Sequence, residues 1–266
     1  MMNGRYSERV EDLFAFSRQF GLSDALWGVD YQRAAEYALA AEAFPDGGND
    51  ALDIGTGTHS ILPFYLASRF GARMSVTDIS PEAVSRQRKR FARFRGGLPQ
   101  EPAFLHRDCA CLPLDMGSMD YVTAVSVVEH IWHDSSASSE IGRVLRSGGK
   151  AFVTVPYSHG GGRDVYRNKS SYTQRYDGRC PVFFERGYDR ESLQSRIIGP
   201  SKLELADIRY IGEPGFSWRG AFLRLPFRNA LKYGLGWANE RLALAFQDIG
   251  EDPEKAQIAA LTLRKP

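Results

Sequence analysis

The chain has 266 residues, of which 43% are hydrophobic and 25% are charged, and its formal net charge is +2 at pH 7. This length and composition are typical of a globular protein with one large α/β unit, and the small net charge disfavours a nucleic-acid binder. Three cysteines are too few for a disulfide framework, so a cytoplasmic location is expected. No apolar run reaches the ~18 residues of a membrane span.

The first 44 residues predict an N-terminal helical cap. Val10, Leu13 and Phe14 recur at helical spacing, and the stretch over 30–44 is rich in strong helix-forming residues. The turn-forming sequence PDGGND ends this region. We therefore expect a cap over 1–44 and a second domain over 45–266.

Strands and helices alternate from residue 51 onward. The predicted strands are ALDI, RMSVTDI, AFLHRD, DYVTAVSVV, KAFVTVP, LELADIRYI and AQIAALTLRK, with helical segments between most of them. Such alternation predicts an α/β fold with a doubly wound, seven-stranded, mostly parallel sheet. Ligands of these sheets bind beyond the carboxyl ends of the strands.

Two insertions interrupt the alternation, at about 157–188 and 213–255. The second carries an apolar helical stripe beside several unopposed cations. We expect both insertions to form a lid over a ligand site, and a homodimer surface or a membrane-facing surface is the alternative for the second. In the first insertion, the candidates for orienting a sugar, phosphate or carboxylate are Tyr157, His159, Arg175, Tyr176 and Arg179.

A glycine turn follows the first of these strands. Gly55 and Gly57 form half of a G-x-G-x-x-G loop, with Ser60 at the position of the third glycine. The helix N-terminus behind such a turn offers backbone N–H groups that suit a phosphate or a carboxylate equally. Asp53, two residues before the first glycine, would repel a pyrophosphate and attract an ammonium group. Asp78 ends the next strand, where an acidic side chain accepts hydrogen bonds from ribose hydroxyls.

The ligand that these residues imply contains a ribose, an amino group and a carboxylate, and it needs no phosphate. The alternative is structural: Asp53 would be a cap or turn residue, and Asp78 the N-cap of a helix that begins at Pro81. We favour the ligand interpretation because the two acids fall at the ends of neighbouring strands.

Five motifs resemble those of the class I S-adenosylmethionine-dependent methyltransferases in order and spacing. They are LDIGTGT, VTDIS, HRDCACLP, MDYVTAVSVVEHI and EIGRVLRSGGKAFVTVP. The resemblance covers about 50–157, 189–211 and 257–264. It implies a Rossmann-like methyltransferase fold of the small-molecule type, with S-adenosylmethionine as the cofactor.

The same resemblance implies a set of cofactor-binding residues. By position, Asp53, Gly55, Thr56 and Gly57 would surround the methionine moiety, Asp78 the ribose, and Asp108 and Cys109 the adenine, while Ser126 would lie beneath the sulfonium. Ile79 is a further cofactor-binding candidate. His59 and Ser60 depart from the family pattern, which more often has small residues there.

Glu129 and His130 close the fourth strand, where they would face the methyl acceptor. Some relatives use this group, with an acid three residues before the glutamate, to hold a divalent metal. That position is Ser126 here, so no metal is expected, and His106, Cys109 and Cys111 lack the fourth ligand of a zinc site. His130 is instead a candidate general base, and packing at the strand–helix junction is the alternative.

The main hypothesis is methyl transfer from S-adenosylmethionine by in-line displacement to a small-molecule, sugar or amphiphilic acceptor. A cofactor-binding protein without turnover and a nicotinamide-dependent oxidoreductase are the alternatives, and Asp53 disfavours the second. We expect no nucleic-acid partner, because the basic residues at 85–95 suit the solvated face of a helix. Peripheral membrane contact and a homodimer remain open.

Overall fold

The computed structural model describes residues 4–20, 29–47, 49–94, 97–98, 100–172, 174–213, 236–248 and 255–266. The N-terminal region is helical, as predicted, in two segments. Helix α1 covers Gly4–Ser17 and continues into a 3-10 turn at Arg18–Phe20, and helix α2 covers Tyr31–Ala43. Asp30 caps α2, because its Oδ1 accepts hydrogen bonds from the backbone N–H groups of Gln32 and Arg33.

The predicted seven-stranded, mostly parallel sheet is confirmed. Its strands are β1 (Asp50–Ile54), β2 (Arg73–Asp78), β3 (Ala103–His106), β4 (Met119–Val125), β5 (Leu145–Pro156), β8 (Glu204–Gly212) and β10 (Ile258–Arg264). Their order across the sheet is β3-β2-β1-β4-β5-β10-β8, and a two-residue strand, β9 (Gln247–Asp248), extends the β8 edge. Strands β1 to β5 run parallel, whereas β10 runs antiparallel to both neighbours.

Helices cover both faces of this sheet. They are α3 (Leu62–Phe70), α4 (Pro81–Arg93), α5 (Asp134–Val144) and α6, which runs through the segments Arg190–Ser192, Leu193–Ile198 and Gly199–Ser201 with a π-helical middle. Successive strand residues such as Tyr121 and Val122 belong to different apolar clusters, as the two-residue period of a strand requires. One cluster includes α1, α2 and α3, so the N-terminal helices share a core with the sheet.

The first insertion is an ordered antiparallel ribbon of β6 (Arg163–Arg167) and β7 (Val182–Gly187). Asp134, which is fully buried at the start of α5, anchors this ribbon. Its carboxylate accepts hydrogen bonds from Arg186 at the end of β7, from the Tyr188 hydroxyl at 2.8 Å and from Arg196 of α6 at 2.8 Å. Asp134 thus links the end of β7 and α6 to the start of α5, and removal of one partner would leave a buried charge unpaired.

Only part of the second insertion lies within the described residues. Helix α7 (Gly236–Ala245) packs on α1 and α2, and the Tyr6 hydroxyl donates a hydrogen bond to the Ala243 carbonyl at 2.7 Å. The rest of the predicted lid, with its cations and the proposed membrane or dimer surface, lies outside the described residues. Among the described helices, none is long and apolar enough to cross a bilayer.

Candidate functional site

A cavity of about 670 Å³ opens beyond the carboxyl ends of the parallel strands. Every site residue predicted from the motifs lines it: Asp53, Gly55, Thr56, Gly57, Asp78, Ile79, Asp108, Cys109, Ser126 and His130. Parallel strands bring residues far apart in the sequence to one edge, which explains how separate motifs meet in one place. The structure therefore brings the predicted set together at a single site.

The glycine turn after β1 is shaped by close packing and by its own hydrogen bonds. Gly55 has a φ of +66°, and a Cβ there would lie 2.5 Å from both γ carbons of Val127. The N–H groups of Gly55 and Thr56 donate to the Thr77 carbonyl at 2.8 and 3.2 Å. The Gly57 N–H donates to Oδ2 of Asp78 at 2.8 Å. The expectation that this turn offers its amides to an anion is wrong for these three groups, because they join β1 to β2 instead.

Asp53 is a buried carboxyl with one unpartnered oxygen. Its Oδ1 accepts a hydrogen bond from the Thr123 hydroxyl at 2.7 Å, whereas Oδ2 has no hydrogen-bond partner among the described residues. Burial raises its pKa to about 7, against the lowering effect of the Thr123 and Thr56 hydroxyls, which are near enough to favour the charged form. Since the side chain caps no helix, the cap interpretation is wrong. Asp53 lines the cavity, and a carboxyl there with an unfilled acceptor suits a cationic donor from a ligand.

Asp78 is not the N-cap of α4 either. That role belongs to Ser80, whose Oγ accepts a hydrogen bond from the Ala83 N–H at 3.2 Å. Asp78 accepts one backbone N–H on each carboxylate oxygen, from Gly57 at 2.8 Å and from Ser80 at 2.7 Å. A carboxylate has about four lone-pair positions, so the side chain retains acceptors for ligand hydroxyls. Ile79 is 38% exposed beside it on the cavity wall.

Asp108 and Cys109 follow β3 at another part of the wall. Asp108 accepts the Ala110 N–H at 2.9 Å, which fixes the turn. Burial, with the Asp108 charge, raises the pKa of the Cys109 thiol to about 12, so the thiol is neutral at physiological pH. His106 directs its Nε2 to the Ile79 carbonyl at 2.9 Å. Within the described part of the chain, no three His, Cys, Asp or Glu side chains are grouped to hold a metal.

Helix α2 contributes cavity residues that the motifs do not indicate, namely Arg33 and Tyr37. Glu36, on the same helix, is fully buried, and its Oε1 accepts hydrogen bonds from the hydroxyls of Ser126 at 2.8 Å and Thr154 at 2.7 Å. Its Oε2 accepts from Nη1 of Arg33 at 2.6 Å. In the sequence, Arg33 and Glu36 are visible only as two opposite charges three positions apart in an alanine-rich helix. Such a pair by itself predicts an ion pair on the helix surface and no role in a binding site.

Ser126 itself has a φ of +49°, which is uncommon for a residue with a Cβ. Its N–H donates to the Thr154 hydroxyl at 3.0 Å, and its own hydroxyl donates to Glu36. These bonds hold the end of β4 in a conformation that a serine adopts at some energetic cost. The buried glutamate therefore fixes the shape of the cavity floor.

His130 lies on the far part of the wall with Trp132, Tyr172 and Gln174. Its Nδ1 lies 2.8 Å from the Phe184 carbonyl, an acceptor, so Nδ1 carries the proton and Nε2 keeps its lone pair. Burial lowers the pKa of His130, which favours the neutral imidazole. The Tyr172 ring packs on the imidazole at 4.8 Å between ring centroids.

Other candidates do not line the cavity. Glu129 is buried behind it, with Oε1 3.8 Å from Nε2 of His130, and burial raises the pKa of Glu129 to about 8. The five candidates of the first insertion also lie elsewhere; Tyr157, for example, is buried against Tyr210 with ring centroids 4.6 Å apart. That expectation is wrong for the described cavity, whose ribbon residues are Tyr172 and Gln174 instead.

Comparison with known proteins gives the family of this domain. A family model for the methyltransferase domain matches residues 52–153. A protein of Mycolicibacterium smegmatis named "probable S-adenosylmethionine-dependent methyltransferase" is 31% identical over 128 residues, which are 48% of this chain and 43% of that protein. The chain thus spans less than half the length of this relative.

Two solved structures share the fold. The [4+2]-cyclase SpnF is 24% identical, with a TM-score of 0.57 over 88% of this chain and 82% of that one. The geranyl diphosphate C-methyltransferase of Streptomyces coelicolor A3(2) is 12% identical, with a TM-score of 0.58 over 99% and 85%. These identities show the fold alone. The family match and the convergence of the motif residues on one cavity identify residues 52–153 as a methyltransferase domain, similar to that of an S-adenosylmethionine-dependent relative.

Proposed function

We propose that the protein transfers a methyl group from S-adenosylmethionine to a small acceptor that has an apolar body and a hydroxyl group. One observation carries the proposal: the nine predicted cofactor-binding residues line a single cavity, and Asp53 among them has a carboxylate oxygen without a hydrogen-bond partner in the described part of the chain. When bound, the cofactor supplies an activated methyl group on a sulfonium. The protein then has mainly to align the acceptor with this methyl and exclude water.

The donor set fits this cofactor better than a nicotinamide dinucleotide. Asp53 is buried, with 3% of the residue exposed, and a pyrophosphate beside its ionised carboxylate would meet strong repulsion in a site screened from water. An ammonium group would instead supply the missing hydrogen-bond donors. Asp78 retains lone pairs for ribose hydroxyls. We assign Asp53 to the amino group and Asp78 to the ribose.

Aromatic side chains define the part of the cavity that we assign to the acceptor. Trp132 and Tyr172 line it and are 40% and 66% exposed, which is typical of rings that contact a ligand. His130 lies beside them with Nε2 unprotonated. In the proposed step, the acceptor oxygen forms a bond to the methyl carbon, the carbon–sulfur bond breaks with its electron pair on sulfur, and the hydroxyl proton passes to Nε2.

A protein that binds the cofactor without methyl transfer is the main rival. The fold is shared by a protein named as a [4+2]-cyclase, so the fold by itself does not specify the reaction. A solved neighbour that is named as a methyltransferase has geranyl diphosphate, a small molecule with an apolar chain, in its complex. That neighbour supports an acceptor with an apolar body, and binding and turnover need separate measurements.

The first experiment is calorimetry with S-adenosylhomocysteine and with NAD on the purified full chain. We expect micromolar binding of the first ligand and none of the second. The protein is then incubated with methyl-labelled S-adenosylmethionine and fractionated cell extract, and the labelled product is identified by mass spectrometry. Binding of NAD alone would contradict the cofactor assignment. Binding of S-adenosylhomocysteine with no labelled product in any fraction would favour the rival.

A further inference from the structure

The glycine turn does not account for the negative end of the cofactor. The N–H groups of Gly55, Thr56 and Gly57 donate to the Thr77 carbonyl and to Asp78, so they are used in joining two strands. A carboxylate that enters a partly buried site needs donors with positive charge or polarity to replace its hydration shell. Another group on the cavity wall has to supply them.

Arg33 is a cation that fits this requirement. It lines the cavity from α2, and its side chain is 34% exposed even though Glu36, its partner, is fully buried. A guanidinium has five N–H donors, and the ion pair uses Nη1 at 2.6 Å from Oε2 of Glu36. The group therefore retains donors for a second carboxylate, and its fork geometry suits a bidentate contact.

Asp53 lines the same cavity as Arg33. Burial, the largest effect, raises the pKa of the Tyr37 hydroxyl on α2 to about 12. The Arg33 charge lowers this pKa and the Asp53 charge raises it, so Tyr37 lies within electrostatic range of both groups. All three side chains line the same cavity. A cation with spare donors and a carboxylate with an unpartnered oxygen are complementary to a ligand that has a carboxylate and an ammonium group close together.

We infer that Arg33 binds the carboxylate of the cofactor's amino-acid end while Asp53 binds its ammonium group. Helix α2 precedes residues 52–153, the region that the family model matches, so this contact is supplied by the N-terminal helices of the chain. Glu36 is a positioning residue, because it holds Arg33 with one oxygen and the hydroxyls of Ser126 and Thr154 with the other. This inference rests on the proposed function.

The test compares two ligands that differ in the amino-acid end alone. S-adenosylhomocysteine has that end, whereas 5′-deoxy-5′-methylthioadenosine has the adenosine and the thioether without it. By calorimetry, Arg33→Gln is expected to weaken the binding of S-adenosylhomocysteine by about 10- to 100-fold. The affinity for 5′-deoxy-5′-methylthioadenosine is expected to stay within about twofold of the wild-type value. Arg107→Gln is the control, since Arg107 lines the cavity next to Asp108 and is expected to affect both ligands equally.

Loss of Arg33 alone leaves the Glu36 charge buried without its partner, which is destabilising. The double variant Arg33→Gln/Glu36→Gln removes both charges, and its glutamine Oε1 still accepts from Ser126 and Thr154. We expect this variant to fold and to show the same selective loss of S-adenosylhomocysteine. Arg33→Lys is expected to recover part of the affinity, because an ammonium supplies charge without the fork.

Three results would overturn the inference. Equal weakening of both ligands in the double variant would assign Arg33 to structure alone. Unchanged affinity for both ligands would remove it from the cofactor site. Unchanged affinity together with a raised KM for the acceptor would show that Arg33 binds an acceptor carboxylate instead. A wild-type protein that binds neither ligand would contradict the proposed function itself, which separates the two failures.

Discussion

The backbone N–H of Gly57 donates a hydrogen bond to Oδ2 of Asp78, with 2.8 Å between the two atoms. The contact joins the turn after β1 to the end of β2, across 21 positions of sequence. One carboxylate therefore shapes the glycine turn and also faces the cavity. Substitution at Asp78 is expected to affect the turn and the ligand together, because both depend on the same two oxygens.

Asp78→Ala removes the acceptor of the Gly57 N–H and the proposed acceptors of the ribose hydroxyls. We expect the binding free energy of S-adenosylhomocysteine to weaken by about 2–4 kcal/mol. Calorimetry on the wild type and the variant measures this loss. Asp78→Asn is the control, since its amide oxygen still accepts from Gly57 and a smaller loss is expected. Affinity within twofold of the wild type for Asp78→Ala would mean that the side chain serves the turn alone.

Gly55 and Gly57 offer a matched comparison, because both have positive φ and only one is crowded. A Cβ at Gly55 would lie 2.5 Å from the Val127 side chain, whereas one at Gly57 meets nothing within 4 Å. Gly57→Ala is expected to lower the free energy of unfolding by about 1–2 kcal/mol, because alanine is strained at a positive φ. Gly55→Ala is expected to lower it by ~1–3 kcal/mol more than Gly57→Ala does, because its Cβ also overpacks Val127. Urea unfolding measures both, and equal losses would contradict the crowding at Val127.

The parts of the site on strand ends were predictable from sequence, and the parts on helices were not. Asp53, Asp78 and Ser126 end or follow parallel strands, and the rule that such ends converge places them together without any coordinates. Arg33 and Glu36 reach the site through the packing of α2 against β4 and β5, across 90 positions between Glu36 and Ser126. Local sequence patterns, such as helical spacing, cannot predict a contact between residues so far apart in the chain.

The first insertion shows a second limit of sequence patterns. The segment forms an antiparallel ribbon, and its basic and aromatic composition does not reveal which side chains turn inward. Tyr157 packs on Tyr210 because β5 and β8 both pair with β10, and Tyr172 reaches His130 instead. β6 pairs with β7, and Arg186 of β7 forms a buried ion pair with Asp134, 52 positions away, a contact that no local pattern predicts.

Burial of Asp53 makes stability depend on pH. Its pKa is about 7 in the folded protein and near 3.8 in the unfolded chain, so the folded state holds more protons between these values. The free energy of unfolding is therefore expected to fall as pH rises from about 4 to 7. Glu129, whose pKa is raised from 4.5 to about 8, also lowers the free energy of unfolding as pH rises between these two values.

Asp53→Asn isolates the Asp53 contribution, because asparagine still accepts from Thr123 and carries no charge. The variant is expected to be more stable than the wild type at pH 8, by about 1–3 kcal/mol, and to differ much less at pH 5. Denaturant unfolding in the absence of ligand at the two pH values measures this difference. A constant difference at both values would show that Asp53 does not titrate in this range.

The same carboxyl predicts proton release when the cofactor binds. An ammonium group beside Asp53 lowers the carboxyl pKa, so a site that is largely protonated at pH 6.5 loses its proton on binding. We expect about half a proton or more to be released at pH 6.5. Calorimetry of S-adenosylhomocysteine in phosphate and in Tris, which differ in ionisation enthalpy, measures the number. Heats that are equal in both buffers would contradict an ammonium–Asp53 contact, and Asp53→Asn should release none.

His130 distinguishes proton transfer from packing at the acceptor end of the cavity. Its Nδ1 is held by the Phe184 carbonyl, and its pKa lies below the usual 6.5 because of burial. A general base works when unprotonated, so the rate is expected to fall as pH drops through this lowered pKa and to be level near pH 7 and above.

His130→Gln is expected to reduce kcat about a hundredfold while the affinity for S-adenosylhomocysteine stays within twofold. Tyr172→Phe keeps the ring that packs on the imidazole and serves as the control, with a much smaller effect on kcat expected. If His130→Gln lowered kcat by less than about threefold and left the pH profile unchanged, the imidazole would be a packing residue, and alignment of the acceptor would account for catalysis.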